Sequence, residues 1–164
     1  MEHDVRRLTE DDAEAYRTIR LEALAHHPEA FQATYESSAE LPLDVYTQRI
    51  QRYALFGGFR GDELAGIAGF YPLRNPKIRH KGLMWGMYVK EEARGTGLAA
   101  AMIEAVVEHA RGQVEQILLS VIVDNERARR FYERMGFEAY GMERRALKIG
   151  ERYYDEEFRV RFLT

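Results

Sequence analysis

The feature that most constrains this chain is a pair of closely spaced glycines, Arg94-Gly95-Thr96-Gly97, set between two segments of different periodicity. Before it, residues 82–89 alternate in a way that suits a strand. After it, Leu98, Met102, Val106 and Ala110 recur every four residues, the stripe of an amphipathic helix that Gly112 ends. A strand, a glycine turn and a helix in that order bring the N–H groups of the turn together at a helix N-terminus. The first N–H groups of a helix lack internal partners, and the helix dipole adds partial positive charge there. The geometry therefore suits a phosphate, and glycine lets the backbone approach it closely. By spacing alone, two glycines also read as nothing more than a turn.

The rest of the chain supplies the other elements of one mixed α/β domain over residues 1–164. Residues 5–8 read as a short strand. Thr9 with Asp12 resembles a capping box that opens a helix to about Ala25, with Ala15, Ile19 and Leu24 as its apolar face. Pro28 and Pro42 bracket a less regular stretch, and residues 43–50 show a second helical pattern. Residues 53–60 and 63–71 read as strands joined in a tight hairpin at Gly61-Asp62. Residues 116–123 form a β-branched run fit for a buried strand. Residues 125–135 read as a helix ended by Gly136, and two strands turned at Gly150 complete the chain. The predicted order is β-α-α-β-β-β-α-β-α-β-β, without repeats or low-complexity stretches.

Composition removes several kinds of chemistry. The chain has no cysteine, so disulfides, thiolate metal sites and a cysteine nucleophile are excluded. None of its five histidines pairs at the i, i+4 spacing that suits a metal on a helix, and no metal is expected. A net charge of -3 gives no overall drive toward nucleic acid. Apolar runs such as Ile117-Leu118-Leu119 fall far short of the ~20 residues that cross a bilayer, so no membrane association is expected. The charged N-terminus leads into no apolar signal core, which points to a cytoplasmic location.

Two phosphate-binding readings of the glycine turn fail. No G-x-x-x-x-G-K-[ST] occurs in the chain, which disfavours a nucleotide triphosphatase. Gly95, Gly97 and Ala100 formally fit the dinucleotide fingerprint. Lys90-Glu91-Glu92-Ala93-Arg94, however, separates the strand from the glycines, and too little chain follows for such a fold. Arg94-Gly95-Thr96-Gly97-Leu98-Ala99 instead resembles the R/Q-x-x-G-x-G/A motif of the GNAT superfamily, the acetyl-CoA-dependent N-acetyltransferases. At the expected distance, Asn125 to Phe137 resembles that family's N-x-x-A-x-x-F-Y-x-x-x-G-F segment. Two linked motifs and a matching element order extend the resemblance over nearly the whole chain.

The resemblance implies a single mixed, mostly antiparallel sheet flanked by helices, and acetyl-CoA as co-substrate on the turn formed by Arg94, Gly95, Thr96, Gly97, Leu98 and Ala99. It also implies that pantetheine pairs with the strand ending in Met87, Tyr88 and Val89, which splays from the strand carrying Ser120. Asn125 is placed to cap its helix, to hydrogen-bond the cofactor's amide arm, or both. Ala128 and Phe131 share one helix face, which spacing reads as core and the family as cofactor contact. The arginines of this helix read as a solvated face, with Arg130 the choice for the nucleotide 3'-phosphate. Tyr132 takes the role of the acid that protonates the departing thiolate; by pattern alone it is a packed aromatic.

A neutral primary amine of a small molecule or peptide would attack the thioester directly, with a strand N–H polarising its oxygen. No Asp, Glu or His lies between Leu83 and Val89, so the base is left open between a remote residue such as Glu36 and a water chain. Asp155, Glu156 and Glu157 read either as an attraction for a cationic amine or as charges that keep an edge strand soluble, the second being preferred. The family also admits a homodimer through the terminal strands. The rival reading from another class is a non-catalytic acyl-CoA sensor.

Overall fold

The computed structural model describes residues 3–164; Met1 and Glu2 of the charged N-terminus lie outside the described residues. Among the described residues, seven strands form one sheet: β1 (Asp4–Arg7), β2 (Ala54–Arg60), β3 (Glu63–Pro72), β4 (Lys81–Val89), β5 (Gln116–Ile122), β6 (Glu138–Ile149) and β7 (Arg152–Phe162). Their order across the sheet is β1-β2-β3-β4-β5-β7-β6. Every neighbouring pair is antiparallel except β4 and β5. The α-helices that cover it are α1 (Ala13–His26), α2 (Tyr35–Ala39), α3 (Leu43–Arg52), α4 (Leu98–Ala110) and α5 (Glu126–Arg134). The mixed, mostly antiparallel sheet expected from the resemblance is the one observed. No helix among the described residues is long and apolar enough to cross a membrane.

Alternation along the strands divides the apolar side chains into two cores. On one face, Leu55, Ile67 and Tyr88 join Tyr16, Ile19 and Ala23 of α1 and Tyr46 and Ile50 of α3. On the other, Phe56, Ala68, Met84 and Val89 join Leu98, Met102 and Val106 of α4, with Tyr132 of α5. The four-residue stripe of α4 is buried throughout. Close approach of α4 depends on small residues below it, since a methyl group built on Gly66 would stand 2.6 Å from the Met102 sulfur.

Three expectations need correction. Ala15 is exposed, and α1 turns Tyr16, Ile19 and Ala23 to the core; apolar residues, several of them alanine, lie all round this helix, so pattern alone does not define its buried face. The stretch read as irregular holds α2, whose cap Thr34 accepts from the Ser37 N–H at 3.1 Å; five residues are too short to show a helical period. Finally, β7 is an interior strand between β5 and β6, so Asp155, Glu156 and Glu157 do not guard an edge. Glu157 instead pairs with Arg129 at 3.0 Å and Arg159 at 2.6 Å, tying α5 to β7.

Candidate active site

The parallel pairing of β4 with β5 runs only from Lys81↔Gln116 to Leu83↔Leu118. Beyond it the strands part, as the resemblance implied. A bulge sharpens the departure. Ile67 pairs with Tyr88 and Gly69 with Trp85, which leaves Gly86 and Met87 together opposite Ala68. Gly86 carries φ 64°, the left-handed conformation that such a bulge requires and glycine adopts without penalty. The separated strands wall a groove of about 940 Å³ that passes between the two faces of the sheet.

On the α4 side, the groove ends at the glycine turn. Gly95 and Gly97 have φ values of 76° and 89°, so the left-handed backbone itself demands both glycines. The first intrahelical bond of α4 joins the Ala101 N–H to the Gly97 carbonyl at 3.1 Å. The amides of Ala99 and Ala100 precede it, and both residues line the groove. Arg94 is anchored by a hydrogen bond from Nε to the Val89 carbonyl at 3.1 Å, with its Nη2 3.2 Å from His27 Nε2.

Of the residues singled out in the sequence, Met87, Tyr88, Val89, Arg94, Gly95, Gly97, Ala99, Asn125, Ala128, Phe131 and Tyr132 line this one groove. Thr96, Leu98 and Arg130 do not. The Thr96 hydroxyl folds back to donate to the Ala93 carbonyl at 2.6 Å, and Leu98 is buried in the core beneath the turn. The Arg130 side chain is 73% exposed and lies 3.7 Å from Glu126, on the outer face of α5. Arg127 and Arg134 are the arginines of α5 that face the groove. Their spacing with Phe131 was available in the sequence as a helical i, i+4, i+7 face.

Asn125 caps α5, its side-chain oxygen accepting from the Ala128 N–H at 3.1 Å. Tyr132 packs between Phe131 and Phe137, with ring centroids 5.4 and 6.0 Å away, and burial pushes its phenol pKa well above the ordinary value. Tyr88 offers the groove its backbone; its ring turns toward α1, where the hydroxyl donates to Glu22 at 2.8 Å. Burial, followed by that carboxylate, raises its pKa as well.

Of the opposite mouth, the sequence offered only Glu156, as one of three carboxylates read as an attraction for a cationic amine or, by preference, as edge charges. That mouth is formed by Glu29, Phe31, Trp85, Tyr154 and Glu156. Glu157 and Arg159 of β7 reach toward α5, so the alternating residues Tyr154 and Glu156 stand on the other face. Burial and the nearby charge of Glu143 raise the Glu156 pKa above the usual carboxylate range. Glu36 lies exposed on α2 and takes no part in the groove.

A sheet split between parallel strands, with an amide-lined helix start at one mouth and a carboxylate at the other, defines a fold class shared with known transferases. Residues 9–137 match the family model described as the acetyltransferase (GNAT) family, and the chain belongs to that family. The chain is 31% identical over 132 residues to mycothiol acetyltransferase of Streptomyces scabiei, a match covering 80% of this chain and 41% of that protein. It spans between about a third and a half of the length of the curated relatives it matches. Among solved structures, the GNAT-family acetyltransferase of Streptococcus pneumoniae superposes with a TM-score of 0.87 at 18% identity, covering 99% of this chain and 100% of that one. The Salmonella typhimurium protein yncA, solved with its cofactor acetyl-CoA, gives 0.81 at 18% identity, covering 100% and 95%. These likenesses establish the fold.

Proposed function

We propose that the chain is an N-acetyltransferase that moves an acetyl group from acetyl-CoA directly to a primary amine, with residues 1–164 acting as one domain. The observation that carries this reading is the split sheet itself: one groove connects an anion-binding helix start, the free backbone of β4, a neutral phenol and a carboxylate. The Ala99 and Ala100 amides and the left-handed turn fit a pyrophosphate. Arg127 and Arg134 line the groove and Arg130 does not, which supports assigning the 3'-phosphate to the first two. Met87 to Val89 offer strand-like hydrogen bonds to the peptide-like pantetheine arm.

Glu156 is assigned as the base that the sequence left open. Burial, then the charge of Glu143, raises its pKa and so makes its carboxylate a stronger base, and it takes the proton of the incoming ammonium directly or through one water. An N–H of the Met87 strand polarises the thioester oxygen as the N–C bond forms and the C–S bond breaks. Tyr132, neutral because it is buried, donates its proton to the departing sulfur. The nitrogen loses a second proton to become the amide, so each turnover releases one proton to solvent. The test is release of free thiol from acetyl-CoA over a panel of small amines and peptides. Release above the blank rate is expected with at least one acceptor; binding without release would leave only a sensor.

A further inference from the structure

Arg20 of α1 is a buried guanidinium with no carboxylate beside it. It is 7% exposed, and among the described residues neither its Nε nor its Nη1 has a hydrogen-bond partner. The charged and titratable groups that face it are Arg49, Tyr16 and Tyr46, none of which neutralises it at pH 7, and burial lowers its pKa. Its guanidinium stands 4.7 Å from the Phe31 ring and 5.9 Å from the Trp85 ring, and the Trp85 Nε1 donor is likewise buried without an acceptor. Phe31, Trp85 and Gly86 all line the groove. A side-chain carbon at Gly86 would stand 3.5 Å from Arg20 Nη1, so the guanidinium lies against the backbone of the groove wall.

Two aromatic rings offer a cation modest compensation, whereas a buried charge without a counter-ion is costly. An unpaired guanidinium directly behind the groove wall at Gly86 matches an anion supplied from outside the chain. We propose that Arg20 binds a carboxylate of the acceptor, so that the amine acetylated here belongs to an amino-acid-like molecule. Glu29 and Glu156 at the same mouth complement its ammonium group. This subsite rests on the transferase reading and narrows its acceptor class.

Trp85 is the single tryptophan of the chain and reports on the site without any turnover. The experiment titrates the CoA-saturated protein with amino acids and, in parallel, with the amines left after removing their carboxylates, following tryptophan fluorescence. A saturable change is expected with the amino acids at concentrations where the matched amines give none, with affinity weaker by roughly 10- to 100-fold in Arg20→Gln, the loss expected for a charged hydrogen-bonded pair. Equal responses from both members of each pair, or affinity unchanged in Arg20→Gln, would overturn the proposal. Arg20→Met supplies the second arm. If the guanidinium awaits a ligand, removing its uncompensated charge raises the melting temperature of the ligand-free protein, by roughly 2 to 4 °C for a domain of this size. A fall in melting temperature would make Arg20 a structural stack on Phe31 and Trp85 and sink the idea. Thiol release from the amines alone, with no carboxylate preference, would leave the transferase reading standing and this one refuted.

Discussion

Tyr132 joins observed packing to the proposed chemistry through different atoms. Its ring belongs to the core below α5, while burial holds the phenol in its neutral, proton-bearing form. Tyr132→Phe keeps the ring contacts and removes the proton, so acetyl-CoA affinity should persist while kcat with a verified amine falls by about 100-fold or more. Pre-steady-state measurement of thiol release checks this. A parallel loss of affinity and stability would instead mark the hydroxyl as a structural hydrogen bond. The sequence pattern placed Tyr132 on its helix, but Arg130 shows the limit of such reasoning. Of four arginines on one short helix, the two that face the groove are those whose angular positions match Ala128 and Phe131.

At the scale of elements, β4, the glycine turn and α4 act together. The bulge at Gly86 turns β4 away from β5, and the left-handed residues Gly95 and Gly97 aim the start of α4 back at the opening. Gly97→Glu places a negative charge where a pyrophosphate would sit. It also forces a side chain into a φ of 89°, with the new Cβ 2.9 Å from His3 Nε2. The strained backbone costs roughly 1 to 2 kcal/mol, which lowers the melting temperature by a few degrees without unfolding a domain of this size. Saturating acetyl-CoA should raise the melting temperature of the wild type, since a ligand at 100 times its Kd contributes about 2.7 kcal/mol, and should leave that of Gly97→Glu unchanged. Differential scanning calorimetry with and without acetyl-CoA measures both. An equal ligand shift in the two proteins would move the phosphate site elsewhere.

At the scale of the whole molecule, Glu156 reaches the groove because β7 lies beside β5 and opposite the opening. Burial, then the charge of Glu143, raises its pKa, so the amine-dependent kcat/KM should fall as pH drops through a value above the usual carboxylate range. Glu156→Gln should lose that acid limb and most of the rate. Stability follows the opposite sign. A carboxyl whose folded pKa is raised favours the native state below its unfolded pKa, and that contribution is lost as pH rises through the folded pKa. Glu156→Gln should therefore be at least as stable as wild type at pH 8, a comparison that thermal melts at two pH values make directly. A pH–rate profile unchanged in the variant would remove Glu156 from the mechanism. The sequence by itself determined the elements whose signals are local: the stripe of α4, the hairpin at Gly61-Asp62, the turn at Gly150 and the glycine turn before α4. It determined the glycine-turn end of the groove for the same reason, because a helix start and its turn are contiguous in the chain. Only the tertiary structure decided the acceptor end. Glu156, Trp85, Phe31 and Arg20 come from a late strand, a central strand, a loop and the first helix, and no local period joins them. Pairing of Glu157 with Arg129 of α5 helps orient β7, and that long-range packing, rather than any short-range propensity, points Glu156 into the groove.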